Sequence, residues 1–521
     1  MTLIVNGTIV DGTGTEGFAG SVLVDGERIA DVLPLSSPLP PAGDVETIDA
    51  AGCLVTPGFI DCHAHSDAYL IIEPDAPSKI SQGVTTEING QCGGSAAPRY
   101  GEARLSSDWA SILGERLTWR SLAEYRRELD AAKIALNTVQ FIGHNTLRSS
   151  VMGYAARAAD PDDVKAMVRL LEKSLDEGGF GLTTGLVYQP GKYSTGEEVT
   201  YLARAAAAKG GFYATHMRSE GDRLLEALDE VLELVRSTGI RAEISHLKTA
   251  GRNNWSKIDA LLEKMDAAVA DGMLLGCDRY PFCAAGTDLD VVFPDWAGEG
   301  GAPEEMKRLL DPALRRRIEE DLNASSRDWS TVMIGGVWHP DNRAFCGRFV
   351  SELTDRPGEF VCEVLERDLC RTGAFFFGMS EENLTRILSK SWTLPGSDAS
   401  LRSPDGPLGA DHPHPRAYAT MPEFYRRLLP LVGRSEAVAR MTSHPARRFG
   451  LKGRGVIEKG AFADIAVWSE DEFRGLSTYA EPHRFSSGMK AVMVNGAIPY
   501  LNGSFTGRRA GRFIERGCRK G

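Results

Sequence analysis

Leu224, Leu225, Leu228, Val231, Leu232 and Val235 recur at the three- and four-residue steps of one helix face, and Gly239 follows as a stop signal. "DPDDVKAMVRLLEKSLDEG" has the same amphipathic texture. Around such segments lie short apolar runs: "FIDCHAHSD", "GVTTEINGQCGG", "NTVQFIGHNT", "GFGLTTGLVY", "FYATHMRSE", "RAEISHLK", "LLGCDRYPF" and "WTLPGSDAS". Eight strand candidates, several separated by helix-like stretches, predict an α/β chain folded as a (β/α)8 barrel of the TIM type. A doubly wound open sheet is the alternative, but no G-x-G-x-x-G follows an early strand.

The two ends follow a different rhythm. "LIVNGTIVDG", "GSVLVDGERIADVL" and "ETIDAAGCLVTPG" alternate Val, Ile and Leu with polar residues between glycine turns, and "RGVIEKGAFADIAVWS" and "MKAVMVNGAIPYLNG" repeat that texture near the end. This predicts one small β domain assembled from residues 1–55 and 448–521, around a barrel at 56–447. The seventh and eighth strand candidates are more than a hundred residues apart, so an insertion is expected at about 285–375.

The bulk numbers narrow the class. A chain of 521 residues exceeds what one small core needs, and 42% hydrophobic with 25% charged residues is ordinary for a water-soluble globular protein. A net charge of −12 argues against nucleic acid and anionic membrane surfaces as general partners, though not against an anionic small molecule in a cleft. Cys53, Cys62, Cys92, Cys277, Cys283, Cys346, Cys362, Cys370 and Cys518 are an odd, scattered set without C-x-x-C spacing, which is neither a disulfide framework nor a zinc knuckle. No apolar run reaches a membrane span, and the start lacks a basic, then apolar, leader. A cytoplasmic protein with a small-molecule partner is expected; oligomeric state is not legible.

Candidate chemistry falls at the ends of the strand candidates. His63 and His65 end the first, Cys92 the second, His216 the fifth, His246 the sixth and Asp398 the eighth. Barrels of this class build their sites at the C-terminal ends of their strands, so the set converges on one mouth. Taken singly each has an ordinary structural role: a buried thiol, a core histidine, a helix-capping aspartate. Together they are groups of zinc-ligand type, nitrogen and sulfur, beside a carboxylate of the kind that moves a proton. His144, on the third candidate strand, is placed near the substrate. His412 and His414 form a second H-x-H, but two prolines and a loop setting argue against ligation.

With these residues in place, "PGFIDCHAHSD", "GQCGGSAAP", "GHNTLRSSVMG", "GLTTGLVYQPGKYS", "THMRSE", "ISHLK", "HPHPRAYAT" and "GVIEKGAFADIAVW" resemble, in kept order along nearly the whole chain, the N-acyl-D-amino-acid deacylase (D-aminoacylase) family of the amidohydrolase superfamily. The resemblance implies a small β-sandwich built from both termini beside the barrel. It implies a tight zinc site of Cys92, His216 and His246, with His63 and His65 framing a second, weaker one. Asp398 would be general base and acid in hydrolysis of an N-acyl-D-amino acid. Many superfamily relatives bridge two metals with a fourth-strand lysine; "GFGLTTGLVY" has none, which supports Cys92 as the bridge. Lys248, Tyr188, Tyr280 and Arg218 are candidates to line the substrate, although the tyrosines could simply pack and Arg218 could pair with Glu220. The segment "LRSPDGPLGADHPHP" is longer, and Asn145 stands where glycine is expected, which bears on specificity. The rivals are an amidohydrolase opening a cyclic amide such as a hydantoin or dihydropyrimidine, a D-dipeptidase-like activity, and a non-catalytic scaffold.

Overall fold

The computed structural model describes residues 1–37, 45–105 and 107–517; Cys518 lies outside them. Five strands, β1 (Thr2–Ile9), β2 (Phe18–Asp25), β3 (Arg28–Pro34), β4 (Glu46–Asp49) and β5 (Leu54–Pro57), begin the chain. The barrel strands follow: β6 (Phe59–Asp61), β7 (Val84–Asn89), β8 (Asn137–Gln140), β9 (Ile142–Gly143), β10 (Gly181–Gly185), β11 (Phe212–His216), β12 (Arg241–Ile244) and β13 (Leu275–Arg279). After β13 come β14 (Ala284–Asp288), β15 (Val332–Ile334) and β16 (Gly373–Phe377), a separate antiparallel sheet. The barrel then resumes with β17 (Thr393–Pro395).

β6, β7 and β8 pair in parallel, as do β9, β10, β11, β12, β13 and β17. β8 and β9 are one strand interrupted at Phe141. Phe141 N–H donates to Asn89 O and Phe180 N–H to Gln140 O, each at 2.9 Å. The ring closes where Cys62 N–H donates to Pro395 O at 2.9 Å. Inside it Phe141, Phe180, Phe212 and Phe449 pack together, beside the ion pair of Arg448 Nη1 with Glu243 Oε2 at 2.6 Å.

The helices cover the outside. In Leu224–Thr238 the buried face is Leu224, Ala227, Leu228, Val231, Leu232, Leu234 and Val235, and Gly239 ends it in the left-handed conformation at φ 66°. Pro161–Asp176 starts on an Asp160 cap reciprocated by Asp163. The final strands β18 (Ile465–Trp468), β19 (Met489–Val494), β20 (Ala497–Leu501) and β21 (Ser504–Phe505) join β1–β5 in one sheet, with β18 antiparallel to β5.

One buried cation ties the start of the barrel to its end. Lys79 Nζ lies 2.8 Å from both Asp61 Oδ2 and Glu87 Oε1, and donates to Ser397 Oγ at 2.9 Å and Ala399 O at 3.0 Å. Asp61 Oδ1 in turn accepts from Ser397 N–H at 2.8 Å. Lys79→Met leaves two buried carboxylates without their cation, and should destabilise the fold by about 3–5 kcal/mol. Urea unfolding checks this; a change below about 1 kcal/mol, the range of an exposed pair, would contradict it.

Candidate metal centre and active site

His63 and His65 do not ride on a strand, because β6 ends at Asp61. A single bridge between Ala64 and Ala399 carries the chain onward, and the two rings still converge, with Nε2 atoms 3.3 Å apart. Cys92 lies three residues beyond β7, on a turn that packs against the barrel rim. Gly185 is required there, since a Cβ on it would stand 2.1 Å from Cys92 O. His216 ends β11, His246 lies two residues past β12, and Asp398 three past β17. Cys92, His246 and Asp398 have positive φ, at 51°, 37° and 50°. Left-handed backbone at non-glycine residues costs about 1–3 kcal/mol each and gathers where function needs it.

Two groups of ligand atoms result, each within 4.8 Å: His63, His65, Cys92 and Asp398; and Cys92, His216 and His246. Cys92 belongs to both. Its Sγ is 3.4 Å from His63 Nε2 and 3.3 Å from His246 Nε2. Neighbouring ligands of a tetrahedral ion bound at about 2.0–2.3 Å stand roughly 3.3–3.7 Å apart, so the spacing suits a shared cation. His216 Nδ1 is buried without a hydrogen-bond partner among the described residues, as a nitrogen reserved for a metal would be. The residues fit zinc.

Electrostatics agree. Burial would raise the Cys92 thiol, but the His63 and His246 imidazoles outweigh it and hold the sulfur well below its usual range. Burial also opposes ionisation of Asp398, yet Arg416 and the imidazoles of His246, His63 and His65 keep its carboxyl well below the usual value. Burial and Lys248 press His246 downward, but Asp398, Glu220 and Cys92 carry it up to about 10. Such a cluster attracts positive charge, proton or metal ion.

Three contributors escaped the sequence reading. Asp278 accepts from His63 Nδ1 at 3.0 Å through Oδ2 and from His246 N–H at 2.9 Å through Oδ1. It is two residues before Tyr280, and strand alternation was the available signal. Glu220 Oε1 is 2.9 Å from His246 Nδ1, and its Oε2 is 3.4 Å from His216 Nε2. Arg416 Nη1 donates to Asp398 Oδ2 at 2.7 Å, leaving Oδ1 3.2 Å from His65 Nε2. Both residues lie inside quoted motifs, but nothing in their spacing marked them.

The candidate lining residues divide. Lys248 is buried beside the cluster, its Nζ 2.8 Å from His246 Nδ1, although β12 has ended and a turn brings it there. The Tyr188 ring centre is 5.1 Å from that of His216. Tyr280 is buried, with a hydroxyl that has no partner among the described residues. Burial would raise this phenol, but Lys248, Arg279 and Arg416 pull it below its ordinary value.

Arg218 and His144 are not brought to the cluster. Arg218 forks onto Glu230 at 3.0 and 3.1 Å, not Glu220, and lines an outer crevice with Val199 and Val231. Its position, two after His216, puts it beyond the strand end, where alternation no longer sets direction. His144 starts the helix His144–Met152 rather than lying on a strand, and its Nε2 is 2.8 Å from Glu198, which also holds Arg148. His412 and His414 meet the carbonyl oxygens of Tyr479, at 2.6 Å, and Ala284, at 3.0 Å.

Residues 46–286 and 386–500 match the amidohydrolase family. This chain belongs to that family. The D-aminoacylase of Alcaligenes xylosoxydans xylosoxydans is 34% identical over 520 residues, covering 99% of this chain and 97% of the relative. A D-aminoacylase structure, described by a binuclear metal centre with one-metal activation and second-metal attenuation, superposes with a TM-score of 0.81 at 32% identity, over 99% of both chains. The N-acyl-D-glutamate deacylase of Bordetella bronchiseptica, solved with zinc and a phosphonate that mimics the tetrahedral intermediate, gives 0.82 at 30% identity, again over 99% of both. The deacylase resemblance carried by the motifs thus holds over the full chain, and with it the barrel fold.

Proposed function

We propose that this amidohydrolase cleaves the amide bond of N-acyl-D-amino acids to a carboxylate and a free D-amino acid, with zinc at Cys92, His216 and His246 and a weaker second position at His63 and His65. One observation carries the reading: Cys92 belongs to both ligand groups, while β10, "GLTTG", offers no lysine to bridge them. That combination disfavours the cyclic-amide alternative. The presence of all six ligand and acid/base side chains at one mouth disfavours a non-catalytic scaffold.

Zinc bound there supplies Lewis acidity toward the amide carbonyl and acidifies water. The remaining work falls to the chain. Arg416 fixes Asp398 through Oδ2, so Oδ1 is the atom that takes a proton from the attacking water and returns it to the departing nitrogen. Asp278 fixes the His63 ring and the backbone at His246. Lys248 and the Tyr280 hydroxyl, which has no partner among the described residues, are suited to the substrate α-carboxylate, with Tyr188 as a wall beside His216. We place the protein in the cytoplasm, in keeping with eight free cysteines among the described residues. No helix among those residues is long and apolar enough to cross a membrane.

Metal removal tests the proposal. Chelation should abolish amine release from an N-acetyl-D-amino acid, and added Zn²⁺ should restore it. Full activity of zinc-free protein would overturn the reading, and opening of dihydrouracil or a hydantoin in its place would favour the cyclic-amide rival.

A further inference from the structure

Among the described residues Glu220 is the carboxylate that meets both histidines of the Cys92–His216–His246 group, and it meets His246 on the ring nitrogen opposite the one facing the cysteine. His246 presents Nε2 to Cys92 Sγ at 3.3 Å and Nδ1 to Glu220 Oε1 at 2.9 Å. His216 presents Nε2 to Glu220 Oε2 at 3.4 Å, and its buried Nδ1 has no hydrogen-bond partner among the described residues. The same Glu220 Oε1 holds the ammonium of Lys248, whose Nζ also stands 2.8 Å from His246 Nδ1.

Those contacts conflict unless Glu220 resolves them. A neutral imidazole carries one proton, so giving Nε2 of His246 to a metal requires the proton on Nδ1. An ammonium 2.8 Å from Nδ1 favours the opposite tautomer, with Nδ1 as acceptor and Nε2 protonated and closed to a metal. Glu220 accepts from both groups and removes the competition.

We propose that Glu220 is a positioning residue that fixes the tautomers of His216 and His246 for metal binding and shields His246 from Lys248. Its charge thereby joins the metal group to the cation assigned to the substrate carboxylate. The inference rests on reading the cluster as a zinc site.

The test is zinc affinity by competition with a chromophoric chelator on the full-length protein, a readout independent of turnover. Glu220→Gln keeps the shape but loses the charge, and should weaken zinc by about 10–100-fold, as loss of an outer carboxylate does elsewhere. Adding Lys248→Met to Glu220→Gln should recover most of that loss, because the competing ammonium is gone. Unchanged affinity in Glu220→Gln would overturn the proposal. So would a loss that Lys248→Met does not relieve, which is what a merely structural role predicts. Should Glu220→Gln fold poorly by circular dichroism, Glu220→Asp supplies the comparison: it keeps the charge but shortens the reach, and wild-type zinc affinity there would also overturn the claim. A wild-type protein that binds no zinc would sink the metal-site reading itself, a different outcome from either.

Discussion

Asp398→Ala is expected to lower turnover by about 10²–10⁴-fold, the usual contribution of a positioned acid/base, while the tight zinc stays bound. The two halves of that expectation come from different geometry. Asp398 Oδ1 faces the His63 and His65 imidazoles at 3.3 and 3.2 Å, where a proton has to be moved. The Cys92–His216–His246 group does not include it, so those ligands keep their donors. Steady-state kinetics with zinc analysis of the same sample checks both halves. Unchanged turnover would remove Asp398 from the mechanism. Lost zinc would make it a ligand of the tight site rather than an acid/base beside it.

Cys92→Ala should have the larger effect, because one sulfur serves both ligand groups. Its removal leaves two histidines in that group, and the sulfur that His63 and His246 hold well below its usual range against burial is gone. Zinc should be absent from the purified variant. Losing the several kcal/mol of charge stabilisation that a catalytic metal provides lowers turnover by about three powers of ten or more. Cys92→Ser keeps the size but is a far poorer ligand, so it should behave nearly as Cys92→Ala does. Full zinc occupancy with wild-type turnover in either variant would take Cys92 out of the site.

Much of the candidate site was legible because the residues the structure brings together end apolar runs. His216 lies at the end of β11, and that register in a barrel is enough to point it at the mouth. His63, His246 and Asp398 were found by the same argument, although each lies past its strand on backbone that a period of two does not describe. Left-handed φ at Cys92, His246 and Asp398 aims those side chains, and no one-dimensional pattern encodes it. Arg218, offered as a lining candidate or a partner of Glu220, lies two residues beyond β11 and turns to Glu230 instead. His144 fails for a related reason, since Gly143 ends the strand and the next residue opens a helix.

The residues that hold the ligands were harder to see. Glu220 stands four residues after His216 and Arg416 comes 18 residues after Asp398, but no periodic spacing marks either contact. Lys79 is similar: a lysine before "ISQGVTTEI" looks like an exposed charge, yet it is fully buried between Asp61 and Glu87. Buried ion pairs are invisible to hydrophobic periodicity because each partner reads as surface until the other is placed. Asp278 was within reach of alternation with Tyr280, and its contact with His63 is of the kind that would orient a metal-binding histidine from behind.

The central claim is that this mouth hydrolyses the acyl amide of a D-amino acid. It is tested most directly by amine release from matched N-acetyl-D and N-acetyl-L amino acids with hydrophobic, acidic and basic side chains, with zinc supplied. Release from the D series alone is the predicted result, and the fastest side chain identifies what the pocket accepts. Release from neither series by folded, zinc-loaded protein would contradict the account.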